Sequence, residues 1–243
     1  MDLRNARCLV TGASSGIGRA VAHRLAREGA RVVALGRDAE ALTGLATHAV
    51  VCDLGVPGSW RRAAEAAGEV DVLVNNAGIG WAGRFTDMPS DASERLLAVD
   101  LVAPILLTRA LLPGMLERRH GHVVNVASIV AHTGGKEEAV YAAAKAGLLA
   151  FSESLRQELA RTSVRVSVVT PGAIDTPFFA RRGSPYGRRW PRPLPPERVA
   201  DAVVRAIATG RAEIFVPGWM TLPARVRGAF PEIFRPLVDR FNR

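Results

Sequence analysis

Arg7-Cys8-Leu9-Val10-Thr11-Gly12-Ala13-Ser14-Ser15-Gly16-Ile17-Gly18, near the start of a 243-residue chain, joins a short apolar run to a glycine turn and then to an amphipathic helical pattern. Strand, glycine turn and helix in that order are what a dinucleotide-binding turn requires. Gly12 permits the tight turn, Gly16 lets the backbone approach a pyrophosphate, and Gly18 lets the helix pack close to the strand. The helix N-terminus offers unpaired N–H groups and the positive end of its dipole to phosphates. The spacing is GxxxGxG, so it is not GxGxxG, and no Lys-Ser/Thr follows to make a P-loop. An ordinary glycine turn is the bland alternative.

Outward from this turn the rhythm continues. Apolar runs at about 7–11, 31–35, 49–53, 70–75, 122–127, 164–170 and 212–216 predict strands. Between them, patterns at about 16–28, 38–47, 58–68, 92–118, 138–161 and 196–209 predict helices. Such alternation implies parallel βαβ units and a sheet covered on both faces. Runs like Val70-Asp71-Val72-Leu73-Val74 suit strands buried on both sides. No repeat or linker divides residues 1–243, so one domain is expected. A composition 48% hydrophobic and 23% charged can bury a full core, which excludes a disordered or fibrous chain. The longest apolar candidate, Leu96 to Met115, is broken by Asp100, Pro104, Arg109 and Pro113, and the first residues lack the apolar region of a secretory signal. A soluble, cytoplasmic protein is expected. Cys8 and Cys52 lie in apolar runs without metal-ligand spacing and read as buried free thiols. His120-x-His122 lacks a third ligand and reads as loop polarity, so no metal site is expected.

The second strand ends at Leu35-Gly36-Arg37, 19 residues after Gly18. An acidic residue there would hydrogen-bond an adenosine ribose 2′-hydroxyl, whereas an arginine pairs with a 2′-phosphate. Gly36 leaves room and Arg37 supplies the fork, which favours NADP. The competing NAD reading uses Asp38, a residue the next helix needs as its N-cap. Asp53, closing the third strand, is placed to meet an adenine edge with Leu54 beside it. Asn75-Asn76-Ala77-Gly78, closing the fourth, brings small and amide residues to the same edge.

The fifth strand delivers Ser128 to that edge, and thirteen residues later comes Tyr141-Ala142-Ala143-Ala144-Lys145. Tyrosine and lysine at i and i+4 share one helix face. An ammonium near the phenol favours the phenolate and is expected to pull the tyrosine below its usual pKa of about 10, making it a usable acid/base. The bland alternative is a surface pair.

Taken together, Thr11 to Gly18, Asn75 to Gly78, Ser128, Tyr141-xxx-Lys145 and Pro171-Gly172 resemble the short-chain dehydrogenase/reductase family in order and spacing over roughly residues 6–217. The resemblance implies an α/β, Rossmann-like, doubly wound parallel sheet of about seven strands with helices on both faces. It implies hydride transfer between a nicotinamide cofactor and an alcohol or carbonyl, with Tyr141 as acid/base, Ser128 holding the substrate oxygen, and Lys145 binding the nicotinamide ribose and lowering the tyrosine pKa. The cofactor contacts it implies are Thr11, Gly12, Ser14, Ser15, Gly16, Ile17, Gly18, Arg37, Asp53, Leu54, Asn76, Ala77, Gly78, Tyr141, Lys145, Pro171, Gly172 and Thr176, the last against the carboxamide. One departure stands out: the family usually has an asparagine where this chain has Asp100, so the proton relay through that position is in question. Ionised, Asp100 would disfavour the phenolate. A homodimer or homotetramer through the helices near 92–118 and 138–161 is implied as well.

Residues 177–196 hold six prolines with Phe178, Phe179, Tyr186 and Trp190, which forbids a long helix and suggests a lid. With Trp81 it should close the substrate pocket over a hydrophobic steroid, retinoid, terpenoid or acyl substrate. Arg181, Arg182, Arg188 and Arg189 would instead suit an anionic handle, as in a 3-oxoacyl-carrier reductase, or touch nothing. A non-catalytic NADP(H)-binding regulatory protein is the third reading. The tail at 218–243 is basic and amphipathic, a flap on the fold or a partner subunit rather than a membrane contact. The net charge is +9, but the arginines that carry it are spread along the chain, so nucleic acid is not expected.

Overall fold

The computed structural model describes residues 1–45, 48–187 and 190–232. Seven strands, β1 (Arg7–Thr11), β2 (Arg31–Gly36), β3 (His48–Val51), β4 (Val72–Asn75), β5 (Gly121–Val126), β6 (Val164–Pro171) and β7 (Glu213–Val216), form one parallel sheet in the order β3-β2-β1-β4-β5-β6-β7. Successive side chains on a strand point to opposite faces, and the apolar runs supply both. Cys8, Val10, Val72, Val74, Val124 and Val126 face one side, packing with α1 (Gly16–Arg27) and α9 (Glu197–Thr209) through Val21, Leu25, Val203 and Ile207. Leu9, Leu73 and Val123 face the other, against α3 (Ser59–Ala67), α5 (Ala103–Glu117) and α7 (Ala139–Glu158) through Ala63, Leu107, Met115 and Leu155. This is the doubly wound arrangement that alternating strands and helices require.

The predicted second helix is short: α2 is only Ala39–Leu42, and the expected last residues at 46–47 lie outside the described ones. Asp38 does cap it, its carboxylate accepting from Ala41 N–H at 3.0 Å. The predicted helix at 92–118 runs as α4 (Ser90–Leu97), a π-helical turn at Ala98–Val102, and α5. Pro104 lacks the N–H that the Asp100 carbonyl would accept in a regular helix, and a widened turn results. The segment Ser90–Glu117 is long and apolar enough by length and composition to cross a membrane. It nevertheless carries Leu107, Leu111 and Met115 into the sheet's core. Two short helices fall in predicted loops, α6 (Val130–Thr133) and α8 (Phe178–Arg181). The tail begins as α10 (Thr221–Ala229), with Leu222 and Phe230 exposed; the tail residues from 233 on, and Arg188 and Arg189, lie outside the described residues. His122 is a correction: it is fully buried inside β5, not in a polar loop.

Candidate active site

In an open parallel sheet the crevice forms at the carboxyl edge where the strand order reverses, here between β1 and β4. A cleft of about 1290 Å³ opens there, running from the glycine turn to the lid. Its near end is built by glycines that could be nothing else. Gly12 and Gly16 have positive φ, at +69° and +54°. A Cβ on Gly18 would stand 2.2 Å from the Gly12 carbonyl oxygen, so the helix enters this close only because the side chain is absent. Ser15, the N-cap of α1, caps none of its N–H groups, and no acidic residue stands in the first turn. An uncapped helix end facing a cleft is a ready anion cradle.

Thr11 and Gly18 do not reach the cleft wall, contrary to their expected roles as contacts. Thr11 is a strut instead: its Oγ1 accepts from the N–H groups of Asn76 and Ala77 at 3.0 and 2.9 Å, while Asn76 Nδ2 donates to the Thr11 carbonyl at 2.9 Å. These bonds lock the Asn75–Gly78 turn to the glycine turn. Gly12, Ser14, Ser15, Gly16, Ile17, Asn76, Ala77 and Gly78 all line the cleft, as do Arg37, Asp53 and Leu54. Arg37 is exposed at the end of β2. Asp53 carries a partner that the sequence did not reveal, Arg95 at 2.6 Å, and also accepts from Gly55 N–H at 2.9 Å. Cys52 is only half-buried: it packs against the core and also lines the cleft.

At the far end Ser128, Tyr141 and Lys145 converge. Ser128 follows β5, while Tyr141 and Lys145 lie one turn apart on α7. All three are buried, and all three line the cleft. Asp100 lies behind them, wholly buried and off the cleft wall. Its Oδ1 accepts from Ile79 N–H at 2.8 Å and its Oδ2 faces Lys145 Nζ at 3.1 Å, while Nζ also donates to the Val126 carbonyl at 3.2 Å. The π-helical turn presents the carboxylate to this pair. Gly78 makes room for it: a Cβ there would sit 2.9 Å from Asp100 Oδ2. Burial raises the Asp100 carboxyl above the ordinary carboxylate range, opposed by Lys145 and the Ile79 N–H.

The expected lowering of Tyr141 is not what the structure gives. Burial, and then the Asp100 charge, push the phenol up, and a hydrogen bond with Ser128 opposes them only in part. Lys145, 5.7 Å from the ring centroid and paired with Asp100, does not offset that rise. Pro171 and Gly172 line the cleft beside Thr176, whose side chain lies against Gly16.

The lid supplies groups that spacing alone could not place. Phe178 packs on the Tyr141 ring at 5.3 Å. Arg182 is ion-paired with Glu138, three residues before Tyr141, and Arg181 Nη1 donates to Ser15 Oγ at 3.0 Å. Trp81 is a further correction: it packs behind Tyr141 with Leu96 and does not line the cleft.

A family model described as short chain dehydrogenase matches residues 6–186. The 1-deoxy-11-beta-hydroxypentalenate dehydrogenase of Streptomyces exfoliatus is 37% identical over 97% of this chain and 90% of its own. A short-chain dehydrogenase from Sphingobium yanoikuyae, solved in complex with NADPH, superposes with a TM-score of 0.83 at 27% identity, covering 93% of this chain and 95% of that one. The 3-ketoacyl-(acyl-carrier-protein) reductase from Brucella melitensis, solved with NADH, has a TM-score of 0.80 at 29% identity, covering 88% and 97%.

Proposed function

Because the chain belongs to the short-chain dehydrogenase family, and so to the oxidoreductases that act on CH–OH groups, we propose that it interconverts a secondary alcohol and a ketone on a hydrophobic skeleton, with NADP(H) as its cofactor. The observation that carries this reading is one cleft with an uncapped helix end and glycine cradle at one end and Ser128, Tyr141 and Lys145 at the other. The cradle fits a pyrophosphate, since Cβ atoms at Gly12 and Gly16 would intrude on it or on its walls. When bound, the cofactor gives a hydride to the carbonyl carbon or takes one from the alcohol carbon.

The residues do the rest. Ser128 and Tyr141 hold the substrate oxygen between their hydroxyls. Raised well above neutrality, the Tyr141 phenol keeps its proton and donates it to the oxygen of a ketone being reduced. In the opposite direction it must first lose that proton, which the buried site resists. Lys145, fixed by Asp100 and the Val126 carbonyl, stands beside the ring as the residue for the nicotinamide ribose.

Two observations support NADP. Arg37 is exposed at the end of β2 on the cleft wall, and Asp38, the acid an NAD reading would use, is committed to capping α2. Phe178, Phe179, Tyr186 and Trp219 on the substrate side favour an apolar skeleton. Arg182, tied to Glu138, is not free to meet a carrier phosphate. The test is a fluorescence titration with NADPH and NADH in parallel. NADPH should bind at least about tenfold more tightly, a charge-assisted fork on the 2′-phosphate being worth roughly 1.5–3 kcal/mol. Arg37→Ala should remove the difference. Equal affinities in the wild type would return the 2′-position to Asp38.

A further inference from the structure

Arg181 ends α8, yet its guanidinium reaches Ser15, 166 residues earlier in the chain. The hydroxyl it holds belongs to the N-cap of α1, and that hydroxyl caps none of the helix's own N–H groups. The lid touches the same turn a second time, one residue on, where a Cβ at Gly16 would lie 3.1 Å from the Thr176 side chain. The segment from Thr176 to Arg181 therefore lies across the glycine turn as well as over the catalytic end.

The charges at this crossing have one sign. The N-terminus of the 12-residue α1 carries roughly half a positive charge, and Arg181 adds a whole one. Among the described residues no carboxylate is ion-paired with Arg181, although its neighbour Arg182 is paired with Glu138. Two positive groups meeting at one uncapped helix end, with no carboxylate paired to Arg181 among the described residues, are stabilised by an anion in the gap. We propose that Arg181 is a dinucleotide-binding residue, its fork closing from the lid onto the pyrophosphate that the α1 N-terminus cradles. Resting on the cofactor reading above, this makes the lid a contact for the cofactor as well as for substrate. It also assigns different phosphates to two arginines: Arg37 takes the 2′-phosphate, present in NADP(H) alone, and Arg181 the pyrophosphate, present in both nucleotides.

The experiment is a titration of wild-type protein, Arg181→Ala, Arg181→Lys and Arg37→Ala with NADPH and with NADH. Arg181→Ala should weaken both nucleotides by the same factor, about ten- to hundredfold for one charge-assisted phosphate contact. Arg181→Lys, which keeps the charge and loses the fork, should fall between. The unliganded variants should unfold at the wild-type midpoint, because this side chain is exposed. Wild-type affinity for both nucleotides in Arg181→Ala would overturn the proposal and leave the cofactor reading standing. A loss confined to NADPH would also overturn it, since the contact would then be to the 2′-phosphate. Wild-type protein that binds neither nucleotide would overturn the cofactor reading and this proposal together.

Discussion

Lys145 in a Tyr-xxx-Lys pair suggests an ammonium acting directly on a phenol, but here that ammonium has a nearer partner. Asp100 Oδ2 lies 3.1 Å from Nζ, and the carboxylate charge reaches Tyr141 as well, adding to burial in holding the proton on the phenol. Replacing Asp100 with Asn removes one negative charge from behind the pair and keeps an oxygen for the Ile79 N–H. Removing an anion near a phenol favours the phenolate, so the Tyr141 pKa falls. Alcohol oxidation needs the deprotonated form, so its rise with pH should move to lower pH. Profiles of kcat/KM against pH for the two proteins measure the shift. Superimposable profiles would mean that Asp100 serves only to hold Lys145 in place.

Glycine turn, helix and strand ends were legible in the sequence because each rests on a local rule. Gly18 illustrates the rule at its strictest: with 2.2 Å between a hypothetical Cβ and the Gly12 carbonyl, Gly18→Ala must push α1 off β1. The expected cost is about 1–3 kcal/mol of overpacking, with a much larger loss of nucleotide binding because the cradle itself is displaced. Urea unfolding and nucleotide titration on the same variant measure both. An unchanged midpoint would show that α1 can pivot freely, which its packing through Val21 and Leu25 opposes. Ser128, Tyr141 and Lys145 were found because their spacing from the strands is fixed by the βα units. Arg95 on Asp53, Glu138 on Arg182 and Arg181 on Ser15 were not, since contacts between residues 42, 44 and 166 positions apart leave no period in a sequence. The Tyr141 pKa departs from expectation for a related reason: an i, i+4 rule sees Lys145 but not how deeply the phenol is buried, and burial acts ahead of the Asp100 charge that the sequence did flag.

The sheet divides the molecule's work between its two edges. At the carboxyl edge β1, β4, β5 and β6 end in the cleft; near the opposite edge the second residue of β5 is His122, wholly buried and paired in register with Val72 and Arg165. Ser167 Oγ lies 2.9 Å from His122 Nε2 and donates its own proton to the Arg211 carbonyl at 2.6 Å. The imidazole must therefore carry its hydrogen on Nε2, and Nδ1 is a buried acceptor with no partner among the described residues. Burial in the sheet's interior pushes the His122 pKa down to about 4, against an ordinary value of 6.5. Above pH 6.5 the ring is neutral folded or unfolded and nothing is lost. Below it the unfolded chain takes a proton that the folded chain refuses, so stability falls from about pH 6.5 to about pH 4 and then levels off. Between pH 7 and pH 5 this one ring should cost about 2 kcal/mol at 1.36 kcal/mol per unit. His122→Leu, which removes both the titration and the unpaired Nδ1, should flatten that part of the acid limb by the same amount. It should leave nucleotide affinity untouched, because β5 meets the cleft only at its far end. Urea unfolding of both proteins at pH 7 and pH 5 reads the difference. Equal acid losses in the two would place the acid sensitivity in groups other than this strand's histidine.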